Sequence, residues 1–391
     1  MRAVVYGGGN IGRGFIGQLF FESGYDTAFI DVNEEMINLI NKDKCYPVRI
    51  LEGNGYKDFI VKNVSGINGN DIESVKNAIA EADICATSVG VNILKFIAKP
   101  LREGLKKRFS IGNLKPLNII ICENKIGADK LLRELIEQEM NDEEKKYMKN
   151  IGFVEASIGR MVPVQTSEMK DGNPLRICVE KYSELPVDKE AFKGEIPQIK
   201  NMLPASNFDF YIKRKLFVHN MGHAITAYLG NLDGNEYIWQ AIKKPYIEFA
   251  VLRAMNEVAM ALSIEFDYRY EKLNFLIEDL IYRFNNVQLA DTVERVGKDL
   301  NRKLSPNDRL VGAYKLCEVM EIDNTYISLG IAAALLFQYD ELSKEDPKKV
   351  LSEICELNEK QIDGIMELYN LLKNKVPLSN ILFFIKEKLY A

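Results

Sequence analysis

Arg2-Ala-Val-Val-Tyr6-Gly7-Gly-Gly9-Asn10-Ile11-Gly12-Arg-Gly-Phe15 opens the chain. A short apolar run, residues 2–6, meets Gly7-x-Gly9-x-x-Gly12, and an amphipathic stretch from Phe15 to Phe21 follows. A second apolar run, Thr27 to Ile30, ends in Asp31. The order predicted is strand, glycine turn, helix, strand, acid. In such a unit the first glycine permits the tight turn, the second lets the backbone approach a pyrophosphate, and the third lets the helix pack closely on the strand. The helix N-terminus adds free N–H groups and a positive dipole end. Asp31 lies nineteen residues past Gly12, about where an acid bonds the ribose hydroxyls. The glycine string alone is a weak signal. Placed at residue 7, between strand and helix with the acid in position, it specifies dinucleotide binding. The acid favours NAD(H), since it repels the extra phosphate of NADP(H) and no arginine directly follows in Asp31-Val32-Asn33. The expected cofactor contacts are Gly7, Gly9, Asn10, Ile11, Gly12, Asp31 and Asn33, joined by Thr87 and Val89 from the loop Thr87-Ser88-Val89-Gly90.

Apolar and helical stretches alternate from residue 1 to about 156. Strands are expected at 2–6, 27–31, 83–87, 117–122 and 151–156, and helices at 11–23, 34–42, 71–81, 91–107 and 126–139. This alternation implies a parallel sheet covered by helices. Between 46 and 65 the pattern breaks into a strand pair at 48–51 and 59–61, and a further β-like run spans 175–180. After Pro204 long helical periodicities run to the C-terminus, broken by Gly230, Gly234, Pro245, Pro306 and Pro347. The expected fold is an α/β Rossmann-type dinucleotide-binding domain with extra strands, residues 1–200, followed by an all-α substrate-binding domain, residues 201–391. An active site is expected between the domains, opposite the C-terminal ends of the parallel strands.

Composition narrows the function classes. A chain of 391 residues, 47% of them hydrophobic, can bury sizeable cores. A net charge of −5 argues against nucleic acid as the main partner. The first strand starts at residue 2, leaving no N-terminal signal to read, and the longest apolar stretch, Tyr326 to Phe337, is too short and too polar to span a bilayer. The six cysteines (45, 85, 122, 178, 317, 355) show no C-x-x-C and read as reduced cytoplasmic thiols. Two histidines and no Cys/His cluster argue against a zinc site. The expected partner is a small molecule; monomer and homodimer both stay open.

Both histidines fall in one segment, Lys215-Leu-Phe-Val-His219-Asn220-Met-Gly-His223, which holds K-x4-N-x2-H. A lysine with a lowered pKa can take a proton from an alcohol. An asparagine NH₂ can donate to an oxyanion, and a histidine can hold a substrate oxygen or relay a proton. The same residues also fit a core helix with one satisfied histidine and a snorkelling lysine. Asn124, in Cys122-Glu-Asn124 after the strand 117–121, sits at a strand end facing the expected cleft, or simply caps the next helix. Five cations, Arg295, Lys298, Arg302, Lys303 and Arg309, crowd one stretch and could bind a phosphate or carboxylate. With Asp291, Glu294, Asp299 and Asp308 interleaved, charge pattern alone favours a solvated surface with internal ion pairs.

Together these strings resemble the polyol-specific long-chain dehydrogenases/reductases. The resemblance rests on Gly9-Asn-Ile-Gly-Arg-Gly-Phe-Ile-Gly17, Cys122-Glu-Asn124, Arg160-Met-Val-Pro163, Arg214-Lys-Leu-Phe217, Asn220-x-Gly-His223-Ala-Ile-Thr-Ala-Tyr-Leu-Gly230, Asp291-x-Val-Glu-Arg-Val-Gly297 and Arg302-Lys-Leu-Ser305. It implies a metal-independent, NAD-dependent oxidoreductase interconverting D-mannitol 1-phosphate and D-fructose 6-phosphate. Lys215 would be the general base, Asn124 and Asn220 the oxyanion hole, and His223 the group that orients the substrate hydroxyl. Arg295 and Lys303 match substrate-contacting cations, and Arg160, in the matching turn, is likewise expected to bind substrate. Lys298, Arg302 and Arg309 are candidates for a phosphate subsite. Two positions depart from the family pattern: Gly159 stands where relatives often have an aspartate, and His219 where an apolar residue is usual. At ~100° per residue His219 falls between Lys215 and His223 around a helix axis. Rival readings are the same chemistry on an unphosphorylated hexitol or hexuronate, and a non-catalytic dinucleotide sensor.

Overall fold

The structure is a computed structural model that describes residues 1–53 and 55–390. The chain divides into two compact units, Met1–Phe208 and Asp209–Ala391.

Among the described residues the first unit has eleven strands: β1 (Arg2–Tyr6), β2 (Asp26–Asp31), β3 (Cys45–Glu52), β4 (Gly55–Lys62), β5 (Val64–Asn68), β6 (Ile84–Thr87), β7 (Leu117–Ile121), β8 (Ile151–Glu155), β9 (Ile177–Glu180), β10 (Leu185–Asp188) and β11 (Met202–Ala205). Six form one sheet in the order β5-β2-β1-β6-β7-β8, and every neighbouring pair is parallel. This is the doubly wound dinucleotide-binding order, with its reversal between β1 and β6. Side chains alternate across the sheet. Ala3 and Val5 pack on one face with Phe15, Leu19, Phe20 and Phe29. Val4 and Tyr6 pack on the other with Val75, Ile79, Leu101 and Leu105. Each fully buried aliphatic or aromatic side chain contributes roughly 1.5–3 kcal/mol.

The five strands read from the main alternation are all present in that sheet, but the sixth was not foreseen. β5 begins at the end of the broken stretch 46–65 and runs past it, where the sequence reading assigned no strand. Its residues, Val-Ser-Gly-Ile-Asn, carry little apolar alternation, so pairing with β2 defines it. Asn41 braces it from the preceding helix: its side chain accepts from Gly66 N at 2.9 Å and donates to Gly66 O at 2.8 Å. The expected strand pair 48–51/59–61 is the antiparallel β3–β4 ladder, which runs longer than foreseen, and the run at 175–180 contains β9, paired parallel to β3. The parallel pair β10–β11 also escaped the sequence reading, because Pro186 and Pro204 sit inside it.

The second unit is helical. Its longer helices are Met221–Leu232, Pro245–Glu265, Tyr270–Phe284, Val311–Val319, Thr325–Ala334, Glu359–Lys373 and Leu378–Tyr390. Helix Thr325–Ala334 is buried along nearly its whole length and packs on helices 221–232, 245–265 and 359–373. The buried Glu257 carboxylate accepts from Tyr326 N and Ile327 N, both at 3.0 Å, satisfying amides at that helix start. No helix of the described residues is long and apolar enough to cross a membrane.

Candidate active site

In the first unit the turn after β1 is built as the glycine spacing requires. Gly7 has φ +102°, and a Cβ there would lie 2.5 Å from Ser88 O. A Cβ on Gly12 would lie 1.9 Å from Gly7 O, so only glycine lets the helix start this close to the turn. Around Gly9 no atom lies within 4 Å of a built Cβ, which leaves open space for a ligand to approach the backbone. Asn10 is exposed and Ile11 half-buried beside it. Asp31, at the end of β2, accepts from Gly8 N at 2.7 Å through Oδ2 and from Asn33 N at 3.0 Å through Oδ1. Asn33 in turn caps the helix Glu34–Asp43 by accepting from Met36 N. A cavity of about 350 Å³ opens here, lined by Gly8, Gly9, Arg13, Asp31, Asn33 and Lys170 among others.

Arg13 and Arg160 support this turn from behind. Buried Arg13 donates from Nε to Gly8 O (2.6 Å) and from Nη1 to Leu175 O (2.5 Å). Arg160 is also buried; it donates to Gly14 O (3.0 Å), Gln18 Oε1 (2.8 Å) and Glu180 O (2.9 Å), and burial pulls its pKa down to about 10. Arg160 thus holds the 160–163 turn against the start of the first helix. Thr87 is sealed within the sheet, while Val89 and Gly90 reach the surface of the loop. Their amides are fixed by Glu123, whose carboxylate accepts from Val89 N at 3.0 Å and Gly90 N at 2.8 Å. Asn124 follows Glu123 and is exposed. The next helix, Ala128–Glu137, has Gly127 at its N-cap, so Asn124 is not that helix's cap.

In the second unit the Lys-Asn-His segment is not a plain α-helix. Arg214–Asn220 is a π-helical turn that runs directly into the α-helix Met221–Leu232. Its i→i+5 bonding brings residues five apart together on one face, as i and i+4 are in an α-helix. Lys215 and Asn220 are five apart and therefore share a face. The uniform 100° count that put His219 between Lys215 and His223 does not apply to this turn. Lys215, Asn220 and His223 are all half-buried, whereas His219 is buried, with its ring centroid 5.9 Å from that of Phe284 and 6.4 Å from that of His223. Burial, then repulsion from Arg283, His223, Lys215 and Arg309, holds His219 well below the ordinary histidine value.

Burial lowers Lys215 to about 8, assisted by the positive charge of Arg309. The adjacent cations Arg214 and Lys213 are engaged elsewhere. Lys213 pairs with Glu265 and Asp209, and the Arg214 guanidinium lies 4.6 Å from the Tyr211 ring centroid. His223 stacks on Phe284 with centroids 4.9 Å apart and ring planes 16° apart. Its Nε2 lies 3.5 Å from Asp291 Oδ2. Burial brings His223 to about 4; Asp291 pulls it up, while Arg295, Lys303 and Arg309 push it down. The imidazole is neutral at working pH.

The basic stretch carries the internal pairing that charge pattern favoured. Arg295 pairs with Asp291, Lys298 with Glu294, Arg302 with Asp299 and Asp308, and Arg309 with Asp308. Lys303 differs: it is buried, and its Nζ donates to the carbonyls of Val296 (2.6 Å) and Lys298. Burial, with Arg309 and Arg302 nearby, lowers it to about 7. Arg295, Lys303 and Arg309 act electrostatically on His223; Arg295, Lys298 and Arg302 are the exposed members, and Arg309 and Lys303 the more buried ones. Sequence reasoning missed Asp291 as a site residue. Its signal was its position four before Arg295, a helical ion-pair spacing. No group of three or more His, Cys, Asp or Glu among the described residues could hold a metal ion.

A dinucleotide turn with a strand-end acid, on a sheet of this order and followed by a helical unit, is the architecture of a Rossmann-type dehydrogenase. The chain belongs to the mannitol dehydrogenase family: residues 1–201 match the mannitol dehydrogenase Rossmann domain and residues 207–376 the mannitol dehydrogenase C-terminal domain. Among its relatives, the mannitol-1-phosphate 5-dehydrogenase of Thermoanaerobacter pseudethanolicus is 41% identical over 89% of this chain and 88% of that protein. The enzyme of the same name from Clostridium acetobutylicum is 38% identical over 92% and 95%. Two solved structures share the fold. Substrate-free D-sorbitol dehydrogenase has a TM-score of 0.79 at 14% identity, covering 95% of this chain and 93% of that one. Pseudomonas fluorescens mannitol 2-dehydrogenase, in a ternary complex with NAD and D-mannitol, has a TM-score of 0.73 at 13% identity, covering 99% and 94%.

Proposed function

We propose that this dehydrogenase interconverts D-mannitol 1-phosphate and D-fructose 6-phosphate with NAD(H). The observation that carries the chemistry is Lys215, lowered to about 8 on the same π-helical face as Asn220. A lysine at its ordinary ~10.4 would be almost wholly protonated near neutrality and could not serve as base. The phosphate half of the substrate is supported by the name that the 37–41% identical relatives carry. The preference for NAD rests on Asp31, whose fixed carboxylate faces the cavity beside Gly9 and would repel a ribose phosphate.

NAD bound at that turn would accept or return the hydride. The chain's own residues do the rest. In oxidation neutral Lys215 takes the hydroxyl proton, and in reduction its protonated form returns it. Asn220, with Asn124 as second donor, stabilises the alkoxide by amide N–H groups. His223 holds a substrate hydroxyl. Arg295 and Lys303 bind the polyol chain, and Arg302, Arg309 and Lys298 provide the phosphate charges. NADH consumption with fructose 6-phosphate, fructose and fructuronate, run in parallel, tests the assignment. Preference for fructose 6-phosphate is the expected result. An equal KM for fructose would move the reading to an unphosphorylated hexitol, and activity on fructuronate alone to a hexuronate.

A further inference from the structure

Resting on that reading, we propose that Asp291 is a positioning residue that sets the tautomer of His223. It takes the Nε2 proton on one oxygen and braces Arg295 on the other, leaving Nδ1 as a bare acceptor for a substrate hydroxyl.

Three observations converge on Asp291. It is a buried acid, 8% exposed, and its two oxygens face different site residues. Oδ1 pairs with Arg295 Nη2, while Oδ2 lies 3.5 Å from His223 Nε2. Its backbone is anchored on both sides. Asp291 O accepts from Ile238 N at 2.9 Å, and Thr292 bridges to Tyr237. Thr292 Oγ1 then caps the short helix Val293–Gly297 by accepting from Arg295 N at 3.2 Å. These bonds fix the backbone from which the carboxylate projects, and the Arg295 ion pair orients the carboxylate itself.

The tautomer follows from donor inventory. An ionised carboxylate only accepts, and a neutral imidazole has a single N–H. Nε2 is the nitrogen that faces Asp291, across 3.5 Å, so a proton there is favoured by the carboxylate and Nδ1 keeps its lone pair. The stack on Phe284 fixes the plane in which that lone pair lies. An acceptor is repelled by a developing alkoxide, so its partner is a hydroxyl that keeps its proton. That assigns His223 to a hydroxyl beside the reacting carbon and leaves the oxyanion to the asparagines. A polyol carries such a neighbour; a simple alcohol does not.

The test exploits the two-histidine count: ¹⁵N-histidine labelling of the full chain gives only two imidazole spin systems. His219→Gln assigns them. Wild-type protein without substrate should show His223 protonated at Nε2 and bare at Nδ1 at neutral pH. Asp291→Asn, which can donate an amide N–H to Nε2, should shift the ring toward the Nδ1–H form. It should also lower kcat about tenfold or more, with a rise in KM from the unbraced Arg295. Asp291→Glu should restore the Nε2–H form in part. A wild-type His223 in the Nδ1–H form overturns the proposal without any variant. So does an Asp291→Asn protein whose tautomer is unchanged. Because the spectra need no substrate, failure of every sugar in the activity panel alongside the expected tautomer would count against the substrate reading and not against Asp291.

Discussion

The carboxylate of Asp31 is tied to the amide of Gly8 at 2.7 Å, so the acid at the end of β2 and the glycine turn after β1 form one rigid unit. The Asn33 amide fixes its other oxygen. A carboxylate has about four acceptor sites, so two remain for ribose hydroxyls. The acid is oriented before any ligand arrives, which lowers the ordering cost of binding.

Asp31→Ala should weaken NADH binding about ten- to hundredfold, the effect of losing charge-assisted hydrogen bonds worth roughly 1.5–3 kcal/mol. It should also narrow the gap between NADH and NADPH, since the repelling charge is gone. Fluorescence titration with both cofactors measures this. A wild-type protein that binds both equally would remove the role given to Asp31.

Gly12→Ala tests the turn itself. Its Cβ would sit 1.9 Å from Gly7 O, a backbone atom that cannot rotate away. Overpacking of this kind costs about 1–3 kcal/mol. We expect a lower Tm together with loss of NADH binding, whereas Gly9→Ala, which meets open space, should leave Tm nearly unchanged and weaken only the cofactor.

Lys215→Ala should leave NADH affinity intact and lower kcat by ~10²–10⁴ or more. The pH dependence has a definite sign. Oxidation needs neutral Lys215, so its rate should rise with pH and level off above about 8; reduction should fall over the same range. Arg309 helps to depress Lys215, so Arg309→Met should move both inflections upward. Inflections that stay in place in that variant would assign them to another group.

Arg302→Ala should raise KM for fructose 6-phosphate far more than it changes kcat, because it removes binding common to ground and transition states. One charge-assisted bond is worth roughly 1.5–3 kcal/mol, or about ten- to hundredfold. Arg302 is already paired with Asp299 and Asp308, so the lower end of that range is expected. Raised ionic strength should increase the wild-type KM in the same direction. An unchanged KM shifts the subsite to Arg295 and Lys303.

Local sequence carried much of this protein. The glycine spacing, Asp31 and the apolar alternation depend on neighbours within about twenty residues, so the dinucleotide turn, five sheet strands and the helical second unit could be read directly. Long-range partners decided the rest. β5 exists because β2 pairs with it and Asn41 brackets Gly66, not because Val-Ser-Gly-Ile-Asn favours a strand. The π-helical turn at Arg214–Asn220 changed which residues share a face, and no periodicity announces a change of hydrogen-bond register. The charge that helps depress Lys215 comes from Arg309, ninety-four positions away, rather than from adjacent Arg214. Sequence determined which groups the protein has to work with. Only the folded chain decided which of them meet, because burial and Coulomb interaction act through space, and distance along the chain does not measure them.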